Sequence, residues 1–352
     1  MSEPGAGPSF SEEFPLILDG HEDFLTQTSG YQDLTSGSGL EGTPRQSARR
    51  DFLTESDDGH VDLPRARRGG IGAAFASIWM RNEDAERDAR RTAASEVDDL
   101  LRTIDRSGGQ MRLVRGVTDL RACLAGEAFG AIMHFEGADP IGADLRELRM
   151  YYEAGLRSVG IVWSRPTVFG DGVPRDPNGR PSARGLTEAG RNLVQECNRL
   201  GILIDVSHLN VAGFWDVVAV ADKPFIASHS DAHAIAPHVR NLDDDQIRAL
   251  AAGGGCIGVN LTNSFVRPDR ALDRSTSIEM IAAHIDHIAR LVGDAHVAIG
   301  TDFDGADMPD VLNDATRLPL LLRELKRRGY GDDAIERITH GNFVRVLGQV
   351  WR

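Results

Sequence analysis

Four short apolar runs in this chain end in residues whose side chains bind metal ions. They are Leu16-Ile17-Leu18-Asp19-Gly20-His21-Glu22-Asp23, Ala131-Ile132-Met133-His134-Phe135-Glu136, Ile202-Leu203-Ile204-Asp205-Val206-Ser207-His208 and Phe225-Ile226-Ala227-Ser228-His229. A fifth, Val297-Ala298-Ile299-Gly300-Thr301-Asp302-Phe303-Asp304-Gly305, ends in carboxylates. A hydrolytic metal site needs neutral imidazoles and anionic carboxylates around a water whose pKa the cation lowers toward about 7. In a two-metal version a shared carboxylate bridges ions about 3.5 to 4 Å apart. His21 and Asp23 are two residues apart, so on a strand they share a side and can share an ion, while Glu22 points away. Glu136 stands alone before Gly137, where backbone can approach closely, and is placed to bridge. His208 and His229 complete the second ion's set. A lone His at a strand end is ordinarily a hydrogen-bonded packing residue, but five such endings in succession are hard to produce by packing alone.

The elements that must hold these residues follow from the same runs. If the runs are buried parallel strands, their carboxyl ends meet on the rim where a (β/α)8 TIM barrel keeps its chemistry. From Ile71 onward, apolar runs of strand length alternate with segments of helical length, the pattern of an α/β protein with a parallel sheet. Strands are expected at 71–80, 131–136, 158–164, 202 onward, 225 onward, 256–261 and 297 onward, which with the first run makes eight. Helices are expected at 82–106, 144–154, 187–200 with Thr187 as cap and Gly190 as a weak point, around 213–221, from Asp243 and at 277–292. Segments 311–328, 332–339 and 342–350 read as closing helices. The Gly/Pro/Asp/Arg-rich loop 165–184 follows the fourth strand, and loops of that length on a barrel rim are more often functional than idle. Residues 1–14 read as a flexible tail and 15–352 as one barrel domain; 26–43, rich in Ser, Thr and Gly, reads as a mobile first loop.

Composition bounds the reading. With 352 residues, 41% hydrophobic and 26% charged, the chain is an ordinary globular protein. No stretch of about 18 apolar residues suggests a membrane span, and the N-terminus has neither the basic start nor the apolar core of a secretory signal. A net charge of −14 disfavours nucleic acid and anionic membrane surfaces as partners. Arg65-Ala66-Arg67-Arg68 reads as a solvated loop. Three scattered cysteines, Cys123, Cys197 and Cys256, suit a reducing compartment, so a cytoplasmic setting is expected.

The motifs Asp19-Gly20-His21-Glu22-Asp23, Phe135-Glu136-Gly137, Ile204-Asp205-Val206-Ser207-His208, Ser228-His229-Ser230, Arg240-Asn241-Leu242-Asp243-Asp244 and Gly300-Thr301-Asp302-Phe303-Asp304-Gly305 resemble, in order, those of the membrane (renal) dipeptidase family of zinc peptidases. The resemblance covers nearly the whole chain after Pro15. It implies a homodimeric barrel with two zinc ions per chain, His21, Asp23 and the bridging Glu136 on one, Glu136, His208 and His229 on the other. A hydroxide between the ions would attack the scissile amide of a small dipeptide with a free C-terminal carboxylate. Asp302 matches the family's acid–base residue, with Asp304 behind it, and Arg240 matches the residue that grips the substrate carboxylate. A helix-entry salt bridge from Arg240 to Asp243 or Asp244 is the alternative for that residue. Asn241 and Trp163 join the expected substrate contacts.

Trp163 departs from the pattern. The fourth strand of the better-known dipeptidases ends in a His that helps stabilise the oxyanion, and an indole N–H is only a neutral donor. Losing one oxyanion donor can cost about 2.7 to 4 kcal/mol. Either Arg165 or a metal supplies the charge, or the enzyme is slow on plain dipeptides, or the substrate is a nonstandard dipeptide-like amide of specialised metabolism. A family aromatic near the seventh strand is also absent, with Thr262 near its place. A catalytically weak binding homologue is a further alternative, which Asp302 argues against because a binding protein needs no proton shuttle. Other hydrolase and nucleotide classes fit worse. Gly69-Gly70-Ile71-Gly72 lies at a strand start, there is no Gly-x-Ser-x-Gly elbow, and His21-Glu22 lacks the second His of HExxH.

Overall fold

A computed structural model describes residues 10–11, 13–25, 50–174, 179–180 and 182–352. The mobile loop expected at 26–43 lies outside the described residues, as do 1–9 and 12 of the expected tail. Of that tail, Ser11 N–H donates to Arg67 O at 3.0 Å and Glu13 pairs with Arg323 at 2.6 Å.

The strands are β1 (Ile17–Glu22), β2 (Ile71–Ile78), β3 (Met111–Leu113), β4 (Phe129–Glu136), β5 (Leu156–Gly160), β6 (Leu203–Asp205), β7 (Ile257–Val259) and β8 (Val297–Ile299). All pairings are parallel, in the order β1-β2-β4-β5-β6 and, separately, β7-β8. Residues 225–228 join the two sheets through the bridges Asp205↔Ile226 and Ala227↔Ile257. The chain after β8 returns to β1, where Asp23 N–H donates to Phe303 O at 2.9 Å and Asp302 N–H to His21 O at 3.1 Å. Eight staves therefore close into the expected (β/α)8 barrel, with 225–228 the irregular sixth. Strands buried on both faces read as continuous apolar runs, and every residue of β1, β2 and β4 is buried. Inside, Leu18, Phe75, Ile132, Leu203, Ile226 and Ala298 share a cluster with Phe343 and Leu347 of the last helix, Asn342–Val350. That helix stoppers the floor of the barrel and leaves the carboxyl rim for chemistry.

The helices Asn82–Arg106, Arg146–Ala154, Glu188–Leu200, Val211–Val220, Asp244–Ala252 and Ile278–Val292 lie where expected. Thr187 caps its helix by accepting from Gly190 N at 3.1 Å. Gly190 is a packing requirement there, because a Cβ would meet Phe169 O at 2.0 Å. Asp243 and Gln246 form a reciprocal capping box that explains the acidic helix start.

Three expectations change. The fourth stave runs over Leu156–Gly160 rather than 158–164, which puts Trp163 in the turn beyond it. An additional strand, β3, and a helix, Val117–Leu124, lie between the second and third staves. β3 pairs only with the start of β4, on the edge that β5 takes from Met133 onward, so it is not a stave. The Arg65-to-Arg68 cluster is not a solvated loop but part of the helix Leu63–Gly69. Arg65 is buried against Asp62 at 2.7 Å, Arg67 donates to Gln110 at 3.0 Å, and only Arg68 is exposed, paired with Glu55. Among the described residues no helix is long and apolar enough to cross a membrane.

Candidate metal centre

Five side chains from four stave ends converge on one point of the rim. His21 and Asp23 leave the end of β1, Glu136 ends β4, His208 lies in the turn after β6, and His229 follows the sixth stave. His21 Nε2 is 3.3 Å from Asp23 Oδ2 and 3.5 Å from Glu136 Oε2. The other oxygen of Glu136, Oε1, is 2.8 Å from His208 Nε2 and 3.8 Å from His229 Nε2. Glu136 thus turns one oxygen toward each group of ligands, as a bridging carboxylate must. Gly137 allows this turn at the end of β4, with φ +116 and Trp163 N only 3.2 Å from where its Cβ would stand.

The electrostatics fit a cation at each group. Against the push of burial, Asp23 and Glu136 hold the His21 imidazole well above its ordinary pKa. The two carboxylates demand positive charge at Nε2, a demand that a divalent ion meets. Both ring nitrogens of His21 are buried and have no hydrogen-bond partner in the protein. On the other side, burial and the Arg240 charge push His208 down to about 4, and burial with His21 and Arg240 holds His229 well below its usual value. Neutral imidazoles are the form that ligates metal. The sets His21–Asp23–Glu136 and Glu136–His208–His229 each bring three ligand atoms within 4.8 Å of one another.

Serines and a carboxylate aim the imidazoles, as partners of metal-binding His residues do. Ser164 Oγ is 2.8 Å from His208 Nδ1 and Ser228 Oγ is 2.7 Å from His229 Nδ1. Ser228 in turn donates to Asp205 Oδ2 at 2.5 Å, and Asp205 Oδ1 accepts from Ser207 and Ser228 N–H groups. His134, in the second of the apolar runs, belongs to neither set. It sits deeper, with Nδ1 3.0 Å from Ser158 Oγ and a pKa lowered by burial to about 4.

Asp302 follows β8 and brings a carboxylate oxygen within 4.8 Å of the ring nitrogens of His21 and His229 that could hold an ion. Burial, helped by the charges of Asp23 and Glu136, pushes its pKa up to about 7, with His21 opposing. Asn260, at the end of the seventh stave, donates to Asp302 Oδ2 at 2.9 Å. Nothing in the type of Asn260 announces that contact; its place at the end of an apolar run was the available signal. Arg240 is 5% exposed, donates from NH2 to His229 O at 3.2 Å, and keeps Nε and NH1 without a partner in the protein. No salt bridge to Asp243 or Asp244 forms; Asp243 caps its own helix instead. An unpaired buried guanidinium beside the ligands is suited to an anionic group.

The remaining expected contacts fall differently. Asn241 directs its Nδ2 to the carbonyls of Ala236 and Phe265, at 2.9 and 2.7 Å, so its amide donors secure the loop that carries Arg240 rather than facing a substrate. Arg165 cannot stand in for an imidazolium, because its guanidinium is bidentate on Asp139 at 2.9 and 3.0 Å and also donates to Met80 O. Trp163 tilts over His208 with ring centroids 5.7 Å apart and meets Trp79 edge-on at 5.3 Å. Thr262 is buried, and the aromatic of that region is Phe265, whose ring lies 5.6 Å from the Arg240 guanidinium. Asp304 pairs with Arg50 and belongs to neither ligand set.

Comparison with known proteins gives a consistent picture. The model of the family described as membrane dipeptidase, peptidase family M19, matches residues 9–352. A Klebsiella pneumoniae protein named only for its place in the pqqA 5′ region is 39% identical over 254 residues, covering 72% of this chain and 94% of its own. Dipeptidase aclJ of Aspergillus oryzae is 30% identical over 346 residues, covering 95% of this chain and 78% of its own. Among solved structures, a metallopeptidase from Rhodobacter sphaeroides, liganded with a phosphinate mimic of the dipeptide L-Ala-D-Ala, is similar with a TM-score of 0.88 and 36% identity, covering 96% of this chain and 100% of that one.

Proposed function

Because the chain belongs to the membrane dipeptidase family, peptidase family M19, and is thus a metal-dependent dipeptidase, we propose that it uses two zinc ions to hydrolyse small dipeptides with a free C-terminal carboxylate. The observation that carries this reading is Glu136, with one oxygen toward His21 and Asp23 and the other toward His208 and His229. His21, Asp23 and Glu136 would hold one ion and Glu136, His208 and His229 the other. The N/O donor set suits zinc. When bound, such ions supply an activated water and a Lewis acid for the scissile carbonyl.

The protein's own groups do the rest. Asp302 accepts the proton of the attacking water and delivers it to the leaving amine, a task for a carboxyl whose pKa lies near neutrality. Asn260 fixes one oxygen of Asp302 and so orients the other. Arg240 pairs with the substrate's C-terminal carboxylate through its partnerless Nε and NH1. Three buried free thiols, Cys123, Cys197 and Cys256, are in keeping with the cytoplasmic setting we propose.

One observation favours a second reading in the same chemistry. Trp163 stands half-buried against His208, and Arg165 is held by Asp139, so neither offers the cationic donor of the better-known dipeptidases. A nonstandard dipeptide-like amide, whose oxygen lies elsewhere, would not need it.

The test is amino acid release from a mixed dipeptide panel by zinc-loaded and chelator-treated protein, with each dipeptide also offered as its C-terminal amide. Zinc-dependent cleavage of the free acids, and much weaker cleavage of the amides, is expected. Cleavage that ignores either zinc or the carboxylate would overturn the corresponding part of the reading.

A further inference from the structure

We propose that His60, together with Asp304 and Arg50, is a positioning device that locks the turn after β8 and so aims Asp302 into the metal centre. The inference rests on the reading of Asp302 as the proton carrier. The turn needs such a device, because Asp302 and Asp304 both have left-handed backbones, with φ 65 and φ 64. Residues other than Gly seldom adopt that conformation, Asp more readily than most but still at a cost, and two in one turn persist only where surroundings over-determine them. The next residue is Gly305, where a Cβ would meet Asp23 Oδ2 at 2.1 Å and Asp302 Oδ1 at 2.5 Å. The turn is therefore pressed against a ligand on one side.

The other side is closed by His60. Its Nδ1 accepts the Asp304 N–H at 3.0 Å, and its own backbone N–H donates to Asp304 Oδ1 at 2.6 Å. Arg50 pairs with Asp304 Oδ2 and donates to the carbonyls of Asp58 and, at 2.8 Å, Val61. Gly59, with φ +65, lets the three approach, since a Cβ there would meet Arg50 NH1 at 1.7 Å and Asp304 Oδ1 at 2.7 Å. Burial holds the His60 ring below its ordinary pKa, which keeps a lone pair on Nδ1 for the amide. Among the described residues, none of the three belongs to a group of side chains able to hold an ion. Their effect on the reaction passes through the backbone that carries Asp302.

The experiment uses the zinc-loaded full-length protein and the variants His60→Leu and His60→Asn, each alone and combined with Asp302→Asn. It reads kcat and KM on the best-cleaved dipeptide, bound zinc, and amide exchange of residues 303–305 by mass spectrometry. His60→Leu is expected to lower kcat about 10- to 100-fold, the scale of a misplaced catalytic group. KM and zinc content should stay as in the unmodified protein, while exchange in the turn becomes markedly faster. His60→Asn, whose Oδ1 can take the Asp304 N–H, should recover most of kcat. In the Asp302→Asn background the His60→Leu change should cost little more. An unchanged kcat, unchanged exchange, or an equal loss in both backgrounds would overturn the device. If Asp302→Asn alone leaves kcat intact, the proton-carrier reading is what fails. Should His60→Leu not fold, Gly59→Ala displaces Arg50 and is expected to give the same loss of kcat at unchanged zinc content; retained kcat there would overturn the proposal.

Discussion

Asp302 is the residue at which charge, burial and backbone meet. Its carboxyl is pushed up to about 7 chiefly by burial, while an isolated Asp titrates near about 4. Bound cations favour the ionised form, so the acid limb of kcat/KM is expected between these two values, with activity falling as pH falls through it. Asp302→Asn should remove that limb, keep both ions and lower kcat by about 10²- to 10⁴-fold; a limb unchanged in the variant would assign it to another group. Trp163 gives a second prediction at this scale. If it marks a pocket altered for other substrates, Trp163→His will raise turnover of plain dipeptides, as a panel assay can show, whereas loss of all activity would make the indole essential. The convergence of the five candidate ligands with Asp302 and Arg240 was legible in the sequence because each ends an apolar run or sits in a family motif. Asn260, Asp205, His60 and Arg50 were not, because their roles come from contacts across the fold. Arg50 and Asp304, for example, are 254 residues apart.

At the scale of elements, the long helix Asn82–Arg106 carries a buried acid, Glu96, toward the rim. Its Oε2 accepts Trp79 N–H at 2.9 Å, its Oε1 has no partner, and burial raises its pKa well above the usual range. The folded chain therefore keeps a proton that the unfolded chain releases above about 4.3. With more protons bound in the folded state, stability from this group falls as pH rises from there toward the folded pKa. Glu96→Gln keeps the acceptor for Trp79 and removes the penalty. Its melting temperature relative to the unmodified chain should therefore improve from pH 5 to pH 8, and a constant difference would contradict the account. Strands and helices of ordinary length were readable from their period. β3 was missed because Met111-Arg112-Leu113 is broken by an arginine, whereas the equally short β6, β7 and β8 lie within longer apolar runs; the helix Leu63–Gly69 was missed because its arginines look solvated until Asp62 and Gln110 are seen to neutralise or bind them.

For the whole molecule, the barrel works only if its last stave meets its first. Asp19 joins them by accepting Thr301 N–H at 2.8 Å and Thr301 Oγ–H at 2.6 Å, with both residues fully buried. Thr301→Val removes one of these bonds and leaves a buried carboxyl oxygen short of a donor, at a cost of about 1 to 3 kcal/mol. Denaturant unfolding should show that loss; an unchanged midpoint would mean that closure does not depend on this contact. Closure brings β1, β4, β6 and the sixth stave into one ring, and their ends place Glu136 between two ligand pairs. The most direct test of this arrangement is zinc stoichiometry, by elemental analysis after dialysis, of the unmodified chain and of Glu136→Ala. Close to two ions per chain are expected, with the single substitution weakening both. One ion per chain, or a variant that loses only one of two, would contradict Glu136 as the shared ligand.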